Sequence, residues 1–91
     1  MYETVYDIEL ANRQAGQHWF DPDTKRFFQS RYGQTVYGKR FFISSEQFDD
    51  SPRLYTIREA LPNGHVKTVG EFQAYASHTQ AVQAIQKQLG N

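Results

Sequence analysis

No cysteine occurs in these 91 residues, which excludes disulfides, thiolate metal sites and a cysteine nucleophile and fits a reducing compartment. No apolar run approaches the roughly 18 residues a membrane-spanning helix needs. The opening MYETVYDIEL carries acids where a secretory signal would carry Lys or Arg. A soluble, cytoplasmic chain with no membrane partner is therefore expected. Net charge is missing as well, since ten basic residues balance ten acidic ones. Dedicated nucleic-acid binders usually show a clear basic excess. Glycine loops of the GxGxxG or GxxxxGK(S/T) kind are absent, and no serine is flanked by glycines. These absences leave no catalytic residue and no cofactor to name, and the chain reads as a non-enzyme.

What is present is a single domain, 1–91, with an aromatic content of 15%. A chain this short buries only about 60–65% of its unfolded surface, and rings that each bury about 150–250 Å² make the most of a small core. Charge is uneven along the chain. Residues 1–9 sum to −3, residues 10–45 to +4, residues 46–50 to −3 and residues 51–91 to +2. The stretch 16–37, GQHWFDPDTKRFFQSRYGQTVY, holds the only tryptophan, Trp19, and dense basic and aromatic side chains.

Local signals outline a β-α-β-β-β-α order. Residues 2–10 alternate with period two, which favours a strand, although ELANRQAG leaves helix open. Asp21-Pro22-Asp23-Thr24 marks a helix start, with Asp21 as N-cap and Pro22 at the first helical position. That helix is expected over about 22–31, ended by Gly33. Thr35 to Ser45 reads as strand, with a break at Gly38-Lys39. EQFDDSP is a loop, and 53–75 is a hairpin turned by Pro62-Asn63-Gly64. Ser77-His78-Thr79-Gln80 matches a capping box. Val82, Ile85 and Leu89 then space an amphipathic helix over about 78–89. The expected fold is α+β, a small antiparallel sheet with both helices packed on one face.

His18 with Asp21 and Asp23 fits no standard ligand spacing, so no metal is expected. His65 and His78 read as solvated. Basic and aromatic residues interleave at Lys25-Arg26-Phe27-Phe28, Arg31-Tyr32 and Lys39-Arg40-Phe41-Phe42. That pattern suits core rings bordered by solvated cations, or a surface that meets phosphate or an acidic protein. The candidate partner surface is His18, Trp19, Lys25, Arg26, Arg31 and Arg40. A nucleic-acid alternative uses Arg53, Arg58 and Lys67. A third reading is a small-ligand or enzyme pocket near Trp19 and His18.

The series AGxHWFxPxTxRFFxSRxG over Ala15 to Gly33, then Val36-Tyr37, FxSSExF, RxYTxR and TVGEFQxY, resembles a family of small uncharacterised proteins from bacteria and their phages. The resemblance covers most of the chain and implies a mobile-element origin but no activity. More loosely, 53–89 resembles the three-strand-plus-helix DNA-binding modules of AP2 and phage-integrase arm type. The order also matches double-stranded-RNA-binding domains, without the basic start of their last helix. Together these readings point to a non-enzymatic interaction protein, monomer or homodimer, whose unknown partner is a protein in preference to nucleic acid.

Overall fold

The computed structural model describes residues 1–90. Among them are helices α1 (Val5–Gln14), α2 (Pro22–Phe28) and α3 (His78–Gln88) and strands β1 (Arg31–Tyr32), β2 (Phe41–Glu46), β3 (Leu54–Ala60) and β4 (Val66–Val69). The strands form one antiparallel meander in the order β1-β2-β3-β4. The α+β class with a small antiparallel sheet is thus as expected.

All six residues of β2 are buried. Successive strand side chains point to opposite faces, so both faces of this strand must be covered. The register places Phe42 opposite Arg58, Ile43 opposite Ile57 and Ser44 opposite Thr56. One face therefore presents Phe42, Ser44, Glu46, Thr56, Arg58 and Ala60, and the other Phe41, Ile43, Ser45, Tyr55, Ile57 and Glu59. Ala81 and Ile85 of α3 pack on Phe41, Ile43 and Ile57. Val5 and Ile8 of α1 join Tyr2 and Phe20 over Phe42 and Ala60. The helices are divided between the two faces, not gathered on one.

The first element is a helix where period two favoured a strand. Thr4 and Asp7 form a reciprocal capping box, with the Thr4 hydroxyl accepting from the Asp7 N–H at 3.1 Å and Asp7 accepting from the Thr4 N–H at 3.2 Å. Val5, Ile8 and Asn12 then bury one stripe at three- and four-residue spacing. Tyr6 and Leu10, which the strand reading placed together on one face, are 62% and 37% exposed.

The helix after Asp21 starts where expected but stops at Phe28, because Gln29 turns left-handed (φ 48°). This frees Arg31 and Tyr32 to pair with Ser45 and Ser44 as β1. Asp21 makes no side-chain capping bond; its carboxylate lies 3.0 Å from His18 Nδ1 instead. Ser77 does cap α3, accepting from the Gln80 N–H at 3.2 Å, while Gln80 reaches back to the Ala76 N–H. The hairpin forms, but its return strand ends at Val69, with only an isolated Tyr55–Tyr75 bridge beyond it; its turn is clamped to α1, where Asn12 Nδ2 donates to the Gly64 carbonyl at 2.9 Å. A Cβ at Gly64 (φ +88°) would lie 2.4 Å from the Ala11 carbonyl oxygen, so only glycine allows this approach.

Candidate functional site

On the α1 face, the sheet continues beyond the apolar patch as a row of polar side chains. Ser44, Glu46, Thr56 and Arg58 alternate onto this face from β2 and β3 and are all buried. A buried guanidinium requires compensation, and here it is supplied from several directions. Arg58 Nη2 lies 3.4 Å from Glu46 Oε2, Nε donates to Ser44 Oγ at 2.9 Å, and Nη1 donates to Thr68 Oγ1. Glu46 Oε1 in turn accepts from Thr56 Oγ1 at 3.2 Å. Only 2% of Glu46 and 8% of Arg58 is exposed.

Two rings enclose the cation. Arg58 Cζ is 5.1 Å from the Trp19 ring centroid and 5.4 Å from that of Phe72, within the range of cation–π attraction. Trp19 is held at both ends of its segment. Its backbone N–H donates to Asn12 Oδ1 at 3.3 Å, and its indole packs on Phe20, Tyr32 and Phe42 at centroid distances of 4.8, 5.0 and 5.7 Å. Phe72 is placed by its neighbour Gln73, a non-glycine residue in left-handed conformation (φ 57°). The Gln73 N–H donates to Thr56 Oγ1 at 2.8 Å and its amide to the Glu46 carbonyl at 3.0 Å. Those bonds hold a strained backbone in place and tie the loop to the ion pair.

Above this floor lies a cavity of about 200 Å³ lined by Trp19, Thr24, Phe28, Ser30, Tyr32, Glu46, Arg58 and Phe72. Burial, and secondarily the Glu46 carboxylate, pushes the Tyr32 phenol up to about 12, so it stays neutral and able to donate at physiological pH. Burial lowers the affinity of the Arg58 guanidinium for its proton, while Glu46 raises it; the group retains its charge, as arginine does in proteins. The site therefore offers N–H donors, a carboxylate acceptor and hydroxyls between aromatic walls, with the buried charges nearly cancelling. Outside the mouth the rings continue: Phe27 meets Phe28 at 4.8 Å, Phe28 meets Phe48 at 5.8 Å, and Phe48 meets Phe72 at 6.4 Å. Phe27 is 75% exposed and Phe72 46%.

The residues anticipated as one partner surface are distributed over the molecule. Trp19 lines the cavity, and Lys25 Nζ sits 5.0 Å from the centroid of the Tyr32 ring. Arg26 pairs with Asp23 on exposed α2, and His18 stays with Asp21 outside the cavity lining. Arg31 lies on the α3 face opposite Ser45, and Arg40 pairs with Glu59 at 3.2 Å. Of the alternative trio, Arg58 is the buried floor, Lys67 pairs with Glu59 at 3.3 Å, and Arg53 donates to Ser45 at the sheet's other end. Glu46, Tyr32 and Phe72 went unsingled in the sequence. The visible signal was Glu46 and Arg58 sharing strand parity with buried rings, which becomes informative only once the register is known. Among the described residues no cluster of His, Cys, Asp or Glu is arranged to hold a metal, and no helix is long and apolar enough to cross a membrane.

Residues 4–86 match the model of a family of unknown function, DUF7447, and the chain belongs to that family. No curated protein and no solved structure matches it. The membership agrees with the resemblance to an uncharacterised family, and gives no support to a phage grouping or to the DNA-binding modules.

Proposed function

We propose that this domain is a non-enzymatic binding module whose α1-face cavity receives a planar, hydrogen-bonding side chain from a protein partner. The observation that carries the reading is the Glu46–Arg58 pair held between Trp19 and Phe72 at the bottom of a cavity that opens into the Phe27-Phe28-Phe48-Phe72 belt. A bare core has no use for a desolvated ion pair, which on its own seldom adds stability. An exposed run of rings is the kind of surface that partners cover. A cavity of about 200 Å³ lies below the size that takes a drug-sized ligand and suits one ring or amide group.

A protein partner is favoured over nucleic acid by charge. Arg58 is neutralised by Glu46 and Arg26 is paired with Asp23, which leaves Lys25 over the Tyr32 ring where a phosphate backbone requires several uncompensated cations. The rings would contribute the area of association, and the ion-pair floor the specificity, because an inserted group that fails to satisfy it leaves buried polar atoms unpaired.

Trp19 is the only tryptophan, so its indole N–H resonance and emission report on the cavity directly. Titration with N-acetyl amides of Phe, Tyr, His, Gln and Leu is the test. At about 0.3 kcal/mol per non-hydrogen atom, such probes should bind with Kd near 1 mM. The Tyr, His and Gln probes are expected to shift the indole signal saturably and the Phe and Leu probes to shift it weakly, with Phe72→Ala abolishing the difference. An indole signal indifferent to every probe would overturn the assignment.

A further inference from the structure

On the α3 face, away from that cavity, two arginines converge with no carboxylate between them. Arg31 on β1 lies directly across from Ser45. Arg53, just before β3, reaches the same residue, with Nη1 donating to the Ser45 carbonyl at 3.0 Å and to its hydroxyl at 2.9 Å. Both line a depression of about 260 Å³ together with Tyr55, His78 and Gly33, and its lining contains no Asp or Glu. The other arginines of the chain, Arg13, Arg26, Arg40 and Arg58, each pair with a carboxylate. Among the described residues Arg31 and Arg53 have no such partner.

The geometry suits an anion. Arg53 spends Nη1 on Ser45, which fixes its fork and leaves Nε and Nη2 without a protein acceptor among the described residues. Arg31 brings a second fork from β1, on the other side of β2 and about 10 Å away across the sheet, and both side chains reach the same depression. His78 and Tyr55, whose rings meet edge-to-face at 6.1 Å, form the wall toward α3. Gly33 contributes backbone to the lining, and a Cβ there would make only ordinary contacts, 3.4 Å from the Ile43 carbonyl oxygen and 3.9 Å from His78 Nε2. Two guanidinium forks match tetrahedral oxyanions because each donates paired, parallel N–H bonds, and an exposed like-charged pair gains when a dianion lies between its members.

We infer that this depression binds the phosphate group of a small phosphate monoester, independently of the aromatic cavity. The test follows amide and arginine Nε–H resonances of the intact chain during titration with inorganic phosphate and with methyl phosphate at low ionic strength. Saturable shifts at Arg31, Gly33, Arg53 and His78 are expected with either probe, tighter binding of methyl phosphate marking an ester ligand and tighter binding of inorganic phosphate a free ion. Arg31→Ala should weaken binding about tenfold or more, the worth of a charge-assisted hydrogen bond. Arg26→Ala, on the other face, should leave it unchanged. Because Arg53 also braces Ser45, Arg53→Lys accompanies Arg53→Ala, retaining the charge while removing the fork; it should bind more weakly than the parent and remain folded. Shifts that are linear in phosphate, or affinity equal in Arg31→Ala and Arg26→Ala, would overturn the inference.

Discussion

The two faces of the sheet are built from the same strands and solve burial differently. Under α3 the sheet offers Phe41, Ile43 and Ile57 to Ala81 and Ile85, an aliphatic and aromatic contact that is stabilised by removal from water alone. Under α1 and the Trp19 segment it offers one apolar end, Phe42 and Ala60, and one polar end, where Glu46 and Arg58 are desolvated and then rewired through Ser44, Thr56 and Thr68. α2, which stands over that polar end, buries no residue. The comparison teaches that both faces bury an apolar patch, while the desolvated ion pair is confined to one of them. The α1 face accepts a desolvation cost that the apolar contact under α3 avoids.

Breaking the ion pair should separate the faces most sharply. Glu46→Ala leaves Arg58 buried without its carboxylate and should cost about 3–5 kcal/mol. Replacing both partners by apolar residues, Glu46→Leu with Arg58→Met, should recover most of that loss while removing the floor of the cavity. On the α3 face Ile57→Ala should cost about 2–5 kcal/mol through transfer and cavity terms, with no partner change that restores it. Urea unfolding of these three variants, with Arg26→Ala as the reference, checks this. A Glu46→Ala variant as stable as Arg26→Ala would show that the pair is not desolvated in solution.

Smaller effects sharpen the same contrast. Gly64→Ala should cost about 1–3 kcal/mol, because the hairpin turn must back away from the Ala11 carbonyl, and the Trp19 indole signal should move as Asn12 shifts with α1. Ser77→Ala removes a made cap and should cost about 1 kcal/mol. Asp21→Ala removes only an exposed contact to His18 and should cost a few tenths at most, about the worth of a surface ion pair. Thermal melts of these two variants test whether α2 stands on its cap or on its neighbours.

The smallest effect lies at high pH. Tyr32 titrates near 12 in the folded chain, above the ordinary phenol value near 10. A raised folded value means that stability is intact below about 10 and declines as pH rises through 12. Absorbance at 295 nm should show one late-titrating phenol that Tyr32→Phe removes. If Tyr32→Phe leaves the late phase in place, the Tyr32 environment is more open than the packing on Trp19 and Phe20 implies.

Much of the fold was legible because its signals are local. Ser77, the Asn63-Gly64 turn and the apolar spacing of Val82, Ile85 and Leu89 each act within one or two turns of chain, and each appears where expected. Gly38 and Lys39 both take positive φ, but the strand expected from Thr35 begins only after them, at Phe41, with isolated bridges at Thr35 and Tyr37 before it. Asp21 misled because His18, three residues back, offered its carboxylate another contact. Residues 2–10 misled because Thr4-Asp7 closes a capping box that alternation does not register. The candidate site was legible only in part. Trp19 was singled out, but the basic residues around it were grouped by sequence proximity, and strand alternation sends neighbours such as Arg31 and Tyr32 to opposite faces.

By itself the sequence determined the α+β class, the hairpin, the last helix and the lack of disulfide chemistry, since composition and short-range spacing suffice for these. Only the tertiary structure decided that Glu46 would meet Arg58, that Trp19 and Phe72 would close on the guanidinium, and that Arg31 and Arg53 would line one depression. Those contacts join residues from different elements through one strand register. A one-residue shift of β2 against β3 would turn Glu46 and Arg58 to opposite faces.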